Sequence, residues 1–127
     1  MRAHAILVVV ESESRAQLGK RLDVSGDRPC GLVVSRGEVR LEAAGERRSP
    51  AWMEPVGRRL FVHAVDPRAR WNGRDVPAVG ALLSDGDELE LGSVRLRVRM
   101  TDDLEAAYHE VVYGLTERRA PIDRHAN

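Results

Sequence analysis

Residues 82–98 read LLSDGDELELGSVRLRV, the stretch with the clearest structural pattern in the chain. Apolar and polar residues alternate on both sides of the Gly92-Ser93 pair. A period of two residues is that of a β-strand with one buried face, and a glycine-serine pair between two such runs is typical of a tight turn. The stretch therefore predicts two half-buried antiparallel strands joined at Gly92-Ser93.

The preceding part of the chain repeats this organisation in shorter segments. Apolar segments follow one another at intervals of about ten residues, with turn residues between them, which is the spacing of a β-sandwich or barrel. Residues 5–10 are rich in β-branched side chains and predict a buried strand. Asn72-Gly73 is the strongest turn signal, because both residues tolerate a positive φ. Further strands are predicted at 18–24, 31–34, 39–41, 52–54 and 59–64, and a loop at 44–50.

A different pattern begins at Thr101. Asp102 and Glu105 stand three residues apart and form a capping box, the arrangement that satisfies open amide groups at a helix start. Pro121 is expected to end the helix, because proline interrupts the hydrogen-bond ladder. The predicted division of the chain is an all-β domain at 1–100, a helix at 101–117 and a flexible tail at 118–127.

The predicted helix carries a narrow apolar stripe at spacings of four, three and four residues. Side chains at these spacings lie on one helical face, as they do in helices that pair with a second helix. We interpret the stripe as a candidate dimer interface, through which the helix would pair with its copy in a homodimer. The stripe residues are Leu104, Tyr108, Val111 and Leu115.

The composition disfavours several classes of partner. Of the 127 residues, 43% are hydrophobic and 31% are charged, which is the balance of a single globular domain. The 20 basic and 20 acidic residues cancel, so the chain has no long-range field for nucleic acid or an anionic membrane. The apolar run at 5–10 is too short to span a bilayer. We expect a cytoplasmic protein that binds neither nucleic acid nor membrane.

The side chains that usually perform catalysis or bind metals are not arranged for either purpose. Cys30 is the only cysteine, and no histidine stands at zinc-ligand spacing from a second ligand. No serine has the Gly-x-Ser-x-Gly context of an activated nucleophile, and there is no glycine-rich phosphate loop. We therefore expect no enzyme activity, no metal and no cofactor.

Arginine residues instead gather on the predicted loops. Because the loops at one end of a sandwich come together, these arginines form a candidate anion-binding surface. Charged loops are also commonly only solvated, and the sequence leaves both interpretations open. The candidate residues for binding a phosphopeptide or protein partner are Arg36, Arg47, Arg48, Ser49, Arg68 and Arg70.

Two segments resemble the C-terminal half of a forkhead-associated (FHA) domain. Residues 71–76 read WNGRDV, and residues 83–92 read LSDGDELELG. The family has an Asn-Gly hairpin at this place, followed by a leucine, Asp-Gly-Asp, and an apolar residue before a glycine. Residues 33–36 and 55–62 resemble earlier strands of the family, so the resemblance extends over nearly the whole predicted all-β domain.

The resemblance implies an FHA-like (SMAD/FHA) β-sandwich of about eleven strands that binds phosphothreonine peptides through loops at one end. The phosphate-binding arginine of the family corresponds to Arg36. The family's Ser-Arg-x-His-Ala pattern falls on residues 47–51, where Arg47 replaces the phosphate-binding serine and Pro50 replaces the supporting histidine. The Asn-Gly-Thr loop corresponds to residues 67–70, which contain no asparagine. These departures predict a degenerate site that is phospho-independent or weakly phospho-dependent.

The segment at 102–116 resembles the linker helix that joins bacterial FHA domains to diguanylate cyclase (GGDEF) domains. Two hypotheses follow from this resemblance and from the candidate site. The first is a protein-protein recognition module of bacterial signalling. The alternative is a dimerisation or scaffold unit that regulates an attached output domain, such as a diguanylate cyclase, through the C-terminal helix.

Overall fold

The computed structural model describes residues 3–26, 28–43 and 49–125, and the side chains of 5–26, 28–43 and 49–116. Within these residues the chain forms eleven strands, one short 3₁₀ helix and one α-helix. In chain order they are β1 (Ala3–Glu11), the 3₁₀ helix (Arg15–Gln17), β2 (Arg21–Ser25), β3 (Cys30–Ser35), β4 (Glu38–Ala43), β5 (Ala51–Val56), β6 (Arg59–Ala64), β7 (Ala69–Trp71), β8 (Arg74–Asp75), β9 (Ala81–Leu82), β10 (Glu88–Leu91), β11 (Val94–Arg99) and α1 (Leu104–His125).

The strands form two antiparallel sheets that share one core as a sandwich. The six-stranded sheet has the order β2-β1-β11-β10-β7-β8, and the five-stranded sheet has the order β4-β3-β5-β6-β9. The hairpin predicted within residues 82–98 is confirmed, since Leu91 pairs with Val94 and Leu89 pairs with Leu96. The predicted fold class, an all-β sandwich followed by a C-terminal helix, is confirmed as well.

The core lies between the two sheets and follows the alternation of the sequence. The apolar side chains of β10 and β11 are each at most 3% exposed. They meet buried side chains of the five-stranded sheet, among them Leu32, Met53 and Leu60. Full burial of an aliphatic side chain of this size contributes about 1.5–3 kcal/mol, so the alternating strands are the main source of the sandwich's stability.

Strand β1 is buried on both faces, which explains the position of the helix. Leu7 and Val9 point into the sandwich core, whereas Ile6, Val8 and Val10 point outward and form a second apolar cluster with Val111 of α1. An antiparallel sheet can leave one face in water only if that face is polar. Because every residue of β1 from position 5 to 10 is apolar, its outer face needs a cover, and α1 provides it.

The apolar stripe of the helix has a neighbour within the same chain, and its role as a dimer interface stays a prediction. Leu104, Tyr108 and Leu115 pack against the cluster of Ile6, Val8, Val10 and Val111, which lies inside the chain. The periodicity correctly indicates a helical face that needs an apolar neighbour. The neighbour is the sheet of the same chain, because the outer face of β1 would otherwise be left exposed to water.

Polar contacts fix α1 to the sheet beside this apolar cluster. The Tyr108 hydroxyl donates to the carbonyl of Gly19 at 2.8 Å. The Arg21 guanidinium in β2 donates to Glu105 of the helix at 2.6 Å, and Arg99 in β11 lies 3.5 Å from Glu110. Exposed ion pairs of this kind each contribute only about 0–1 kcal/mol, so the apolar cluster dominates the docking of the helix.

The ends of α1 differ from the prediction. Asp103 caps the helix in place of Asp102, because its carboxylate Oδ1 accepts the backbone N–H of Ala106 at 3.0 Å. The helix ends at His125 and so continues past Pro121, where the sequence predicts its end. The φ of proline is compatible with a helix, and the backbone can continue with the loss of one hydrogen bond. No helix of the described residues is long and apolar enough to cross a membrane.

The outer face of the five-stranded sheet carries a ring stack. Trp52 of β5 and His63 of β6 stand opposite each other, with ring centroids 4.1 Å apart and planes tilted by 12°. Glu54 lies 3.0 Å from His63 Nε2. Gly80 approaches the same imidazole so closely that a Cβ there would lie 2.6 Å from the ring, and its φ of +95° also favours glycine.

Candidate functional site

Five connections between strands meet at one end of the sandwich, which we call the site end. They enclose a cleft of about 200 Å³, and each connection supplies at least one lining residue. Because the connections are far apart in sequence, only the tertiary fold brings these side chains together. Each connection is represented here by one lining residue, which in chain order are Glu13, Arg36, Pro50, Arg68 and Ser93.

A groove of about 620 Å³, lined by both apolar and polar side chains, adjoins the cleft. Val34, Pro50, Asp66 and Arg68 line both spaces and form the wall between them. On the groove side this wall continues into Val65, which is 56% exposed. Ser49 and Pro67 complete the lining of the groove. The site end therefore combines an open groove of mixed polarity with a charged cleft.

Arg36 lies at the rim of the cleft because of a two-residue turn. Ser35 pairs with Glu38, and between them Arg36 has a φ of 55° and Gly37 a φ of 79°. Two successive positive φ angles are those of the turn that matches the twist of a hairpin. The Arg36 side chain is exposed, and among the described residues it has no hydrogen-bond or ion-pair partner.

The turn is anchored to the neighbouring connection. The Ser12 hydroxyl donates to the carbonyl of Gly37 at 3.1 Å. A Cβ on Gly37 would lie 3.1 Å from the Cγ of Glu13, so the two connections are in close contact. Arg36 is therefore presented by a fixed backbone, and its guanidinium is available for a partner.

The second arginine of the cleft, Arg68, already has an anion. Its Nη2 donates to the Asp66 carboxylate at 2.8 Å, and its backbone N–H donates to the same carboxylate at 2.8 Å. These bonds, from the side chain first and the backbone second, lower the pKa of Asp66 to about 2. Asp66 is consequently ionised at neutral pH and neutralises Arg68.

The opposite end of the sandwich holds a hydrogen-bonded network centred on Asp87. Its carboxylate accepts the Trp71 indole N–H at 2.9 Å, the Ser84 backbone N–H at 2.9 Å and the Asn72 amide at 3.1 Å. Asn72 in turn accepts the backbone N–H of Glu88 at 2.8 Å. We call these five residues the Asp87 network. It ties the Asn72-Gly73 turn to the connection that precedes β10.

Comparison with solved structures identifies the architecture. The structure is similar to the solution structure of the FHA domain of a hypothetical protein from Arabidopsis thaliana, with a TM-score of 0.59 and 18% identity over 80% of this chain and 89% of that chain. It is also similar to the crystal structure of the FHA domain of the CT664 protein from Chlamydia trachomatis, with a TM-score of 0.54 and 12% identity over 76% of this chain and 97% of that chain. The chain has the FHA fold.

The sequence relationship is too distant to add to this result. No family model matches the chain, and no curated protein matches it. At 18% and 12% identity the likeness establishes the FHA fold alone. What the site end does must therefore be argued from its own residues.

One departure from the FHA pattern is compensated by the backbone. The resemblance assigns Pro50 to the position of the supporting histidine of the family. The carbonyl of Pro50 accepts the backbone N–H of Val65 at 2.9 Å and that of Asp66 at 3.0 Å. The β4–β5 and β6–β7 connections are thus held together without a histidine side chain.

Ser49 is the most unusual polar residue of the site end. Its side chain is 2% exposed, and its hydroxyl has no hydrogen-bond partner among the described residues. The hydroxyl lies over Gly31, where a Cβ would overlap it. An unpaired buried hydroxyl destabilises the folded state, so this position is not optimised for stability.

Arg70 lies away from the cleft and the groove. It is part of β7, and its Nη2 donates to the carbonyl of Gly73 at 2.6 Å, which directs it toward the Asn-Gly turn at the opposite end. A role of Arg70 in partner binding stays a prediction. Arg47 and Arg48 lie outside the described residues.

The cleft contains acidic residues that the sequence analysis missed. Glu13 and Asp66 line it together with Arg36 and Arg68, so the four charged side chains that line it within the described part of the chain sum to zero. The Asp66-Pro67-Arg68 sequence is typical of an Asx turn and could have signalled the local contact. Among the described residues, no three His, Cys, Asp or Glu side chains form a group able to hold a metal ion.

Proposed function

We propose that the protein is a non-catalytic recognition module that binds a protein partner at the site end, with no dependence or a weak dependence on phosphorylation. The observation that carries the proposal is the combination of an open groove that exposes the Val65 side chain with a cleft whose four described charged side chains sum to zero. The FHA fold supports the same class of function, because the resemblance implies binding through the loops at this end.

The groove suits an extended peptide segment. Its lining contains four apolar residues, Val34, Pro50, Val65 and Pro67. The polar residues Ser49, Asp66 and Arg68 complete it. An exposed apolar patch with a polar rim is typical of surfaces that bind proteins. A partner would bury an apolar side chain against Val65, while Arg36 at the neighbouring cleft is available to an acidic group of the same segment.

The charge balance of the cleft argues against strong dependence on phosphate. A phosphorylated side chain carries about −1.5 to −2 charges at pH 7 and is usually held by several cations or backbone amides. Here Glu13 and Asp66 offset Arg36 and Arg68. A cleft whose described charges cancel gains little from a doubly charged group, so an unphosphorylated partner is expected to bind nearly as well.

The test is fluorescence polarisation with a degenerate phosphothreonine peptide library and a matched unphosphorylated library. Val65→Asp disrupts the groove, and its matched control is Val79→Asp, because Val79 is 86% exposed in the β8–β9 connection. We expect both libraries to bind the unmodified protein. Val65→Asp should weaken binding about tenfold or more, the effect of losing a well-packed contact, and Val79→Asp should leave it unchanged.

Other outcomes would contradict specific parts of the proposal. Binding by the phosphothreonine library alone would overturn phospho-independence. Equal effects of Val65→Asp and Val79→Asp would place the binding surface outside the groove. Absence of binding by both libraries to the unmodified protein would contradict peptide recognition at the site end.

The alternative function, a dimerisation or scaffold unit acting through the apolar stripe of α1, has weaker support. The stripe contacts β1 of the same chain, which leaves less of its apolar surface for a second copy. We propose bacterial signalling in the cytoplasm as the setting of the module. The resemblance of residues 102–116 to a cyclase linker is what supports that setting.

A further inference from the structure

The contact between Asp66 and Arg68 occupies a cation of the cleft. The carboxylate accepts both the Nε and the Nη2 of Arg68, at 3.2 Å and 2.8 Å, which is the forked geometry that a phosphate or carboxylate of a ligand would use. The Arg68 backbone N–H donates to the same carboxylate at 2.8 Å. The backbone N–H, the Nε and the Nη2 of Arg68 are thus engaged by a group of the chain itself.

The position of this pair is held by the backbone around it. The N–H of Asp66 donates to the carbonyl of Pro50 at 3.0 Å, so the start of the β6–β7 connection is tied to the β4–β5 connection. The Asp66 side chain is 24% exposed, whereas that of Arg68 is 78% exposed. The carboxylate is therefore fixed at the wall of the cleft and is not a mobile surface group.

We infer that Asp66 is a specificity-determining residue that acts as an internal anion on Arg68 and keeps phosphate out of the cleft. The inference rests on the proposed function and deepens it, because it names the group that makes the module indifferent to phosphorylation. Discrimination of this kind uses a repulsive element against the wrong ligand in addition to contacts with the right one.

Removal of the Asp66 charge changes two interactions at once. Arg68 loses its anion and joins Arg36 as a second available cation, so the four charged lining side chains no longer cancel. The repulsion between the carboxylate and a phosphate of about two charges also disappears. Together these changes should improve phosphopeptide affinity about tenfold or more, which is about 1.4 kcal/mol.

The variant that tests this is Asp66→Asn. Asparagine keeps an amide oxygen that can accept the Arg68 backbone N–H, so the turn is preserved while the charge is removed. The matched control is Asp75→Asn, an exposed acid in β8, away from the site end. A second variant, Asp66→Asn combined with Arg68→Ala, removes the cation that the first one releases.

The measurement is the ratio of affinities for the phosphothreonine and unphosphorylated libraries, by fluorescence polarisation at two salt concentrations. We expect Asp66→Asn to raise this ratio about tenfold or more over the unmodified protein, with a stronger salt dependence. Asp75→Asn should leave the ratio unchanged, and the double variant should return it to the starting value.

An unchanged ratio in Asp66→Asn would overturn the inference, as would a gain that survives Arg68→Ala. The same holds if folded Asp66→Asn, checked by circular dichroism, binds neither library. The proposed function is tested by a different measurement. That measurement is binding of the unphosphorylated library by the unmodified protein, and the loss of this binding in Val65→Asp. Failure of one is therefore distinguishable from failure of the other.

Discussion

The two ends of the sandwich differ in how completely their polar groups are paired. In the Asp87 network, one carboxylate accepts three hydrogen bonds, and Asn72 joins the turn to the start of β10. At the site end, Arg36 has no partner among the described residues, and the buried Ser49 hydroxyl is unpaired within the same part of the chain. The Asp87 network joins two connections through one carboxylate, whereas the cleft at the site end exposes the guanidinium of Arg36.

This difference explains why the sequence resembles FHA domains at one end and departs from them at the other. The Trp71-Asn72-Gly73 and Ser84–Glu88 segments carry the resemblance, and they contain the Asp87 network. The departures at Arg47 and Pro50 fall in the β4–β5 connection of the site end. The network residues hold β7, its turn and the start of β10 together and are constrained by the fold, whereas loop residues are more often selected for binding.

The largest expected effect tests the paired end. Asp87→Ala removes the acceptor of three hydrogen bonds and leaves the half-buried Trp71 indole N–H unpaired. We expect the free energy of unfolding to fall by about 3 kcal/mol, since bonds to charged groups are among the stronger ones. Urea denaturation followed by tryptophan fluorescence measures it. Ser93→Ala at the site end serves as the comparison and should change the free energy of unfolding by less than about 0.5 kcal/mol. Equal losses in the two variants would remove the distinction between the ends.

A smaller effect of opposite sign is expected at Ser49. Ser49→Ala removes a buried hydroxyl that has no partner among the described residues. Because such a hydroxyl carries an unrecovered desolvation penalty, we expect the free energy of unfolding to rise by about 1 kcal/mol. The same urea denaturation measures the change. A loss of stability would show that the hydroxyl is satisfied in solution, and the site end would then be as completely paired as the opposite end.

The smallest expected effect concerns the stability of the folded chain at acidic pH. Asp66 has a pKa of about 2 in the folded state, below its ordinary value of 3.8, because Arg68 donates to its carboxylate. A lowered folded-state pKa stabilises the folded chain above pH 3.8, and this contribution is lost as the pH falls toward 2. NMR titration of the Asp66 carboxyl carbon should give a midpoint near 2, and Arg68→Ala should move the midpoint toward 3.8. A midpoint near 3.8 in the unmodified protein would show that Arg68 is available to ligands without any substitution.

Local patterns of the sequence predicted eight of the eleven strands, and the short strands β7, β8 and β9 were not predicted from them. Alternation predicts β10 and β11, and the turn residues Asn72-Gly73 and Gly92-Ser93 lie where the backbone reverses. These features depend on residues that are close in the chain, so periodicity and turn preferences determine them. The helix was likewise predicted from its period, although its cap is Asp103 and its backbone continues past Pro121.

The same patterns could not predict which residues are neighbours in the tertiary structure. The stripe of α1 indicates an apolar contact, and the continuous apolar run of β1 indicates a strand buried on both faces. Neither segment alone predicts that the two pack against each other, because the docking of α1 on β1 depends on where the helix leaves the sandwich. At the site end, Arg36 was correctly expected at a loop, but Arg70 points elsewhere and Asp66 was overlooked.

The sequence by itself determined the strand pattern, the turns and the presence of a C-terminal helix, since each rests on side chains within a few positions of one another. The tertiary structure alone decided what covers β1, which five connections line the cleft, and that Asp66 neutralises Arg68 near Arg36. The physical reason is that burial and charge balance depend on all neighbours in space. Most of those neighbours at the site end come from connections far apart in the chain.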